Sequence, residues 1–594
     1  MNVGLDPVEV MRSIGVFSRV PSGVAEQLTA RSTTRRVSAG DWLFRAGEPS
    51  DEMFVILTGR LEVVAESPEG NRRIRLLSAG DAVGELGVLT RANRAASVRA
   101  LRDTELLCTA RDQIESLYNE IPGFASAMVQ AVASHLRQDS PRPRTTAYAV
   151  LVDGRLPAEQ IRNLLMSSLM ARCRAALIEV PALLTDESHL DPLALARELD
   201  LSERENDVTL LFSSMVGADE SWVFCVRQVD SVVVVAPPGA PPRPELVELA
   251  STAHLERVEV AFVGPPVATP ATAAWLNHSF VTGHHQLGEE NEWAETVDRL
   301  ARSMLGQATG VVLSGGGARG FAHIGALEVF DEAGIAIDRI GGTSMGAFIA
   351  ALYATGVSPR EIYRICRKEM VEQNPFNDYT LPRASVLRAR RGEIMMERIF
   401  GATSLEETRI PCFTVSCDLA AAEVVVHRRG PIAFAVGASM SIPGLVPPLA
   451  SGSRFLVDGG VLNNLPVDQM PSGPGPVLAV DVMGEGWAPR TVQWETRPGR
   501  PGPRGHLELL LRRGPERVPR LAETLVRTTV IGSWRMAIEN RLLADVLVAP
   551  AVGKTGLLDF RRIDEMVELG RVAASESLET IRERIAARSL VHSP

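Results

Sequence analysis

The sequence predicts a multidomain chain with an N-terminal β-roll (jelly roll) and its helices, a middle α/β domain and a C-terminal α/β hydrolase domain. Three observations carry that prediction. At 594 residues the chain exceeds what one hydrophobic core serves, so two to four domains are expected. Short alternating β runs punctuated by glycine fill the first 138 residues, and strand-like runs then alternate with helical stretches from residue 146 onward. Within residues 311–346 two glycine turns each join an apolar strand to a helix.

Composition narrows the function classes. A hydrophobic content of 45% with 23% charged residues describes a soluble, globular protein, and a formal net charge of −10 argues against bulk nucleic-acid binding. Only Lys368 and Lys554 are lysines, so nearly every basic residue is arginine, as in GC-rich bacterial genomes. The six cysteines form no CxxC and have no histidine at ligand spacing. Free thiols in a reducing cytosol fit them, and no metal site is expected. The start, MNVGLDPVEVMRS, has no basic n-region before an apolar core, and no stretch reaches the ~20 apolar residues of a membrane span. The expected location is cytoplasmic, with any membrane contact peripheral at the inner face.

The first 138 residues read as a β-roll closed by the helical stretch 111–138. Their informative segment is Gly84-Glu85-Leu86-Gly87, followed by Arg94-Ala95-Ala96. Free N–H groups, an arginine for a phosphate and a glutamate for a ribose hydroxyl are what a cyclic nucleotide requires. With the spaced glycines Gly40, Gly47 and Gly59, this region resembles the cyclic-nucleotide-binding domain along its whole length. The resemblance implies that Arg94 pairs the cyclic phosphate and Glu85 accepts from the 2′-OH. Ala95, where cGMP-preferring members often carry threonine, leans toward cAMP as effector. Val83 and Asn93 depart from the usual Phe and Pro or Val.

Residues 139–145 form a Pro/Arg-rich linker. Residues 146–305 alternate strands such as DSVVVVAPP with helices, a doubly wound pattern without a phosphate loop, which reads as a connector domain. His284-His285 lacks a third ligand at useful spacing and is expected in a solvated loop.

The candidate catalytic core spans 306–484. Val311–Leu313 is short and apolar, Gly315, Gly316, Gly317 and Gly320 turn the backbone around Ala318 and Arg319, and a helix stops near Gly334. A second strand runs into Gly342-Thr343-Ser344-Met345-Gly346 and another helix. Ser344 is thus a candidate nucleophile on a strained elbow, with the 315–320 loop supplying oxyanion donors. Gly315, Gly317 and Gly320 also satisfy G-x-G-x-x-G, the fingerprint of a Rossmann NAD-dependent oxidoreductase, but the acidic partner should end the next strand, and Asp338 precedes it. Asp458, in the turn Asp458-Gly459-Gly460, is the candidate base, because a buried carboxylate of raised pKa takes a serine proton without an imidazole. His323 and His427 occupy no obvious loop facing Ser344. The run Leu387–Arg391 is a solvated face of a helical 358–400 region or a patch for anionic headgroups. Residues 485–506 read as a loop, and 507–594 as helices packing on the core.

GGGARG, VGGTSMG, ASMSIPGLVPPL and LVDGGVLNNLP together resemble the patatin-like phospholipase family, in its neuropathy target esterase branch. That resemblance implies a Ser344–Asp458 dyad needing no catalytic cofactor, an oxyanion loop at 315–320, and a lipid or lysophospholipid ester as substrate. This chain carries one recognisable cyclic-nucleotide module rather than several. Two rival classes remain at this stage. One is a cyclic-nucleotide-sensing adaptor on an inactive hydrolase fold, and the other is the dehydrogenase.

Overall fold

In the computed structural model the described residues are 22–66, 72–120, 146–180, 192–215, 221–252, 255–381, 385–471, 475–483, 521–553 and 555–590. The linker at 139–145, the loop at 485–506 and the LELLLRR stretch lie outside them. The described chain forms two compact units. One comprises the residues up to Gly264 together with Thr269–Asp298, and the other comprises Pro265–Ala268 and the residues from Arg299 onward.

The first unit holds both the β-roll and the middle sheet. Strands β1 (Thr33–Val37), β2 (Trp42–Phe44), β3 (Glu52–Thr58), β4 (Arg60–Ala65), β5 (Arg72–Ser78), β6 (Ala82–Val83), β7 (Ser97–Ala100) and β8 (Thr104–Ala110) make two four-stranded sheets, ordered β1-β8-β3-β6 and β2-β7-β4-β5. Inward residues such as Phe54, Ile56, Leu61, Val98 and Leu106 fill the space between them. The glycines at the turns take positive φ (Gly40 93°, Gly47 87°, Gly59 94°), which explains their spacing.

The middle sheet is parallel, with β9 (Thr146–Asp153), β10 (Ala175–Glu179), β11 (Val208–Met215), β12 (Ser231–Ala236), β13 (Arg257–Val263) and β14 (Gly283–Gly288) in the order β10-β11-β9-β12-β13-β14. Every residue of β12 is buried, as its unbroken valine run requires. His284-His285 lies in β14 rather than in a solvated loop, and His285 is buried beside Glu259. The loop expectation fails because the pair sits in a six-residue strand hydrogen-bonded to β13, a pairing invisible in local composition.

A buried ionic cluster joins roll and sheet within this unit. Arg102, 1% exposed, donates to Glu203 at 2.8 and 2.9 Å and to Asp230 at 2.7 Å. Arg60 reaches the same two carboxylates, and the Gly59 N–H donates to Asp200 at 3.1 Å. Burial pushes the Asp200 carboxyl up to about 7, and nearby Glu203 adds to the rise.

The second unit is built on a sheet ordered β19-β20-β17-β16-β15-β21-β22, with β18 paired to β17. Its strands are β15 (Gly310–Leu313), β16 (Arg339–Thr343), β17 (Cys412–Asp418), β18 (Glu423–His427), β19 (Leu449–Ser451), β20 (Arg454–Asp458), β21 (Val477–Val480) and β22 (Val546–Val548). β17, β16, β15, β21 and β22 run parallel, so the ends of β15 and β16 meet at one edge. The helix Ile563–Leu590 packs on Ala322–Glu332 through two glycines. A Cβ at Gly325 would lie 1.9 Å from the Val567 carbonyl oxygen, and one at Gly570 1.9 Å from that of Ala322. The helix Leu521–Leu543 docks through Asn540, which donates to the Leu465 carbonyl at 2.8 Å. The basic run at 387–391 is not one helix face. Leu387 bridges to Tyr379, Ala389 takes φ 66°, and the helix Arg390–Phe400 begins only after that corner.

Candidate active site

β16 ends on a glycine pair and Thr343, and the helix Met345–Ala354 starts one residue later. Ser344, between them, is forced to φ 55° and ψ −120°, a conformation that costs about 1–3 kcal/mol in a non-glycine residue. Gly342 and Gly346 let this turn press onto the end of β15. A Cβ on the first would lie 2.4 Å from the Leu313 carbonyl oxygen, and on the second 2.3 Å from the same atom. The Ser344 N–H donates to Ser439 Oγ at 2.8 Å, and Ser439 in turn donates to the Val415 carbonyl at 2.5 Å. That fully buried serine ties the elbow to β17, and the sequence reading assigned it no role.

Asp458 ends β20, which runs antiparallel to β17 and so returns the carboxylate to the edge where β16 ends. Ser344 Oγ donates to Asp458 Oδ2 at 2.7 Å, and the Gly460 N–H donates to Oδ1 at 2.7 Å. Burial pushes the Asp458 carboxyl up from 3.8 to about 6, against the pull of those two hydrogen bonds. Gly459 is required by close approach, since a Cβ there would lie 2.3 Å from the Val415 carbonyl oxygen. Neither histidine considered from sequence touches the pair. His323 is buried with Nε2 2.8 Å from the Ser314 carbonyl, and His427 Nε2 lies 2.7 Å from Ser416 Oγ. Burial lowers both imidazoles to about 4, so they are neutral at physiological pH.

The glycine loop is divided in its use of N–H groups. Gly315 donates to the Asn464 carbonyl at 3.0 Å, Ala318 to that of Leu557 at 2.8 Å, and Arg319 to that of Gly316 at 3.2 Å. Those three amides are consumed in holding the loop, which corrects the expectation that the whole 315–320 stretch is open to a ligand. The amides of Gly316 and Gly317 have no partner among the described residues. Both glycines line a cleft with Ser344, Asp458, Gly460, Asn464, Ile442, Met483, Leu557 and Leu558. A Cβ on Gly317, whose φ is 54°, would lie 2.1 Å from the Leu557 carbonyl oxygen, and one on Gly320 2.4 Å from Met345 Cγ. Arg319 is buried and anchors the loop by donating to the Thr555 carbonyl at 2.7 Å. Asn464 Nδ2 donates to the Gly315 carbonyl at 3.1 Å. Asn464 was legible only as part of LNNLP, and Leu557 carried no sequence signal.

Asp338 precedes β16 and is occupied by Arg302 at 2.6 Å and by the Thr309 N–H at 2.9 Å. It therefore has no free carboxylate for a ribose, and the dinucleotide reading fails on position and on partners.

In the roll, Arg94 is buried. Its guanidinium lies over the Phe44 ring at 4.0 Å and donates to the carbonyls of Glu52 at 2.8 Å and Gly84 at 3.2 Å, while Nε has no partner among the described residues. Burial lowers its pKa, although Glu52, Asp51, Glu48 and Glu85 pull the other way. Gly84 takes φ 83°, Glu85 is buried, and Leu86, Ala95 and Ala96 are at least partly open to solvent.

Fold and site together define a lipid ester hydrolase of the patatin-like class joined to a cyclic-nucleotide-binding domain. Residues 311–471 match the family model for patatin-like phospholipases, and residues 34–120 match that for the cyclic nucleotide-binding domain. The chain is 33% identical to an uncharacterised NTE family protein of Mycobacterium tuberculosis over 97% of both chains. It is 27% identical to a lysophospholipase NTE1 of Pyricularia oryzae, over 92% of this chain and 42% of that one. A solved cyclic nucleotide-binding domain from Methylobacillus flagellatus is 23% identical over 22% of this chain and 74% of its own, with a TM-score of 0.20. The chain belongs to the NTE family.

Proposed function

We propose that the protein hydrolyses acyl esters of phospholipids or lysophospholipids through a Ser344–Asp458 dyad. The observation that carries this reading is the 2.7 Å hydrogen bond from Ser344 Oγ to a buried carboxylate whose pKa is raised to about 6. Such a carboxylate is ionised at neutral pH yet basic enough to accept the serine proton as Oγ attacks the ester carbonyl. The unpartnered amides of Gly316 and Gly317 hold the oxyanion of the tetrahedral intermediate. Collapse expels the alkoxide, which takes from Asp458 the proton that came from Ser344. Water, deprotonated by the same carboxylate, then attacks the acyl-enzyme, and the second collapse releases the fatty acid as Asp458 returns the proton to Ser344 Oγ. The lysophospholipase name of the fungal relative favours a single-chain lipid as substrate. Against an adaptor on a retired hydrolase fold speak the Ser344–Asp458 hydrogen bond and the cleft that Gly316 and Gly317 share with that pair.

The cyclic-nucleotide-binding domain supplies the effector, with cAMP favoured by Ala95. Arg94 binds the cyclic phosphate by exchanging its two backbone carbonyl partners for phosphate oxygens, and Glu85 takes the ribose hydroxyl. The experiment is release of free fatty acid from lysophosphatidylcholine by the full chain, with and without cAMP, beside Ser344→Ala. Release that depends on Ser344 and changes with cAMP is expected. Equal release by the alanine variant rejects the dyad, and equal rates despite measured cAMP binding reject the regulation.

A further inference from the structure

Beside the cleft, an apolar and arginine-bearing surface remains without a partner in the second unit. Thr380 N–H donates to the Val386 carbonyl, and Val386 and Leu387 N–H groups donate at 3.0 Å to the carbonyls of Gly444 and Leu445. Those two residues follow Ile442, which lines the cleft. These hydrogen bonds, with the bridge between Tyr379 and Leu387, tie the segment carrying Tyr379 and Leu381 to the residues that follow the cleft's Ile442.

The apolar part of this surface is costly in water unless something covers it. Tyr379 is 66% exposed and Leu381 83% exposed, and Leu558 on the cleft lining is 41% exposed. Directly after this segment the chain turns through Ala389, at φ 66°, into the helix Arg390–Phe400. Arg388, Arg390 and Arg391 at that corner are all exposed, and none has a side-chain ion pair among the described residues. Elsewhere among the described residues, arginines such as Arg302, Arg398 and Arg571 do pair with carboxylates. Two acids stand at the corner: the Asp378 carboxylate accepts from the Arg391 backbone N–H at 3.4 Å, and Glu393 lies in the first turn of the helix, neither in an ion pair with the three arginines among the described residues.

Resting on the proposed lipid hydrolysis, we infer that this surface docks the protein onto an anionic lipid surface. The apolar side chains enter the interface, and the three arginines meet headgroup phosphates. Charge complementarity selects this occupant. Unpaired arginines flanking exposed apolar side chains match an interface that is negative outside and apolar beneath.

The test is co-sedimentation of the full chain with vesicles of phosphatidylcholine alone and of phosphatidylcholine mixed with phosphatidylglycerol. Binding to the mixed vesicles is expected to weaken roughly a hundredfold in the Arg388→Gln/Arg390→Gln/Arg391→Gln variant, since each arginine near such a surface contributes about one unit of kcal/mol. Leu381→Gln tests the apolar part separately and is expected to reduce binding without altering the salt dependence. Hydrolysis of a soluble short-chain ester is expected to be unchanged in both variants, which reports that they fold. Equal vesicle binding by wild type and the triple variant, or no binding of wild type to either vesicle, overturns the inference. Arginine-dependent binding by a protein that hydrolyses no ester leaves the docking surface standing and rejects the hydrolase reading instead.

Discussion

Replacing Asp458 by asparagine is expected to make the protein more stable while abolishing hydrolysis. The carboxylate is 3% exposed, and burial raises its pKa from 3.8 to about 6. A folded-state pKa above the unfolded value means that the folded protein binds the proton more tightly. The stabilisation from that proton is full below about pH 4 and is lost as pH rises through about 6. Above that window the ionised group costs about 3 kcal/mol, at 1.36 kcal/mol per pH unit of difference. Asparagine keeps a donor for Ser344 Oγ and an acceptor for the Gly460 N–H, but carries no charge to desolvate. Urea denaturation of the catalytic unit should therefore place Asp458→Asn up to about 3 kcal/mol above wild type at about pH 8, with the advantage vanishing near pH 4. An advantage that is absent at pH 8 or persists unchanged at pH 4 refutes the claim that a desolvated carboxylate sits in the site.

Three further outcomes follow from the same geometry. For a soluble ester, kcat/KM should fall tenfold per pH unit below about pH 6, because Asp458 must be ionised to accept the proton; a flat profile to pH 4 contradicts its role as base. Ser439→Ala leaves the Ser344 N–H without its buried partner and should lower kcat/KM about tenfold, from a loss of about 1–2 kcal/mol, with KM little changed in steady-state assays. Arg102→Met strands Glu203 and Asp230 with only Arg60 between them and should destabilise the first unit by about 3–5 kcal/mol, read as a lowered urea midpoint.

Local turn chemistry made much of the site legible. Gly342, Ser344 and Gly346 announce an elbow because a strained turn against a neighbouring strand tolerates no Cβ, and Asp458 announces itself through the glycines that follow it. What the sequence withheld are contacts between distant segments. Ser439 caps an amide 95 residues away, and Gly315 and Ala318 lose their amides to Asn464 and Leu557. No local pattern encodes such pairings, so the whole glycine loop looked free when the amides of Gly315, Ala318 and Arg319 are taken. The same holds for the first unit, where Arg102 finds its partners 101 and 128 residues along the chain. His284-His285 looked like loop because its strand neighbours lie in β13 rather than beside it.

Whether Ser344 is the nucleophile is decided by reaction of the full chain with a fluorophosphonate followed by mass mapping of the adduct. One phosphonyl group on Ser344 is expected, with loss of ester hydrolysis in proportion to its formation. Inactivation with Ser344 unmodified, or full activity in protein labelled at Ser344, contradicts it.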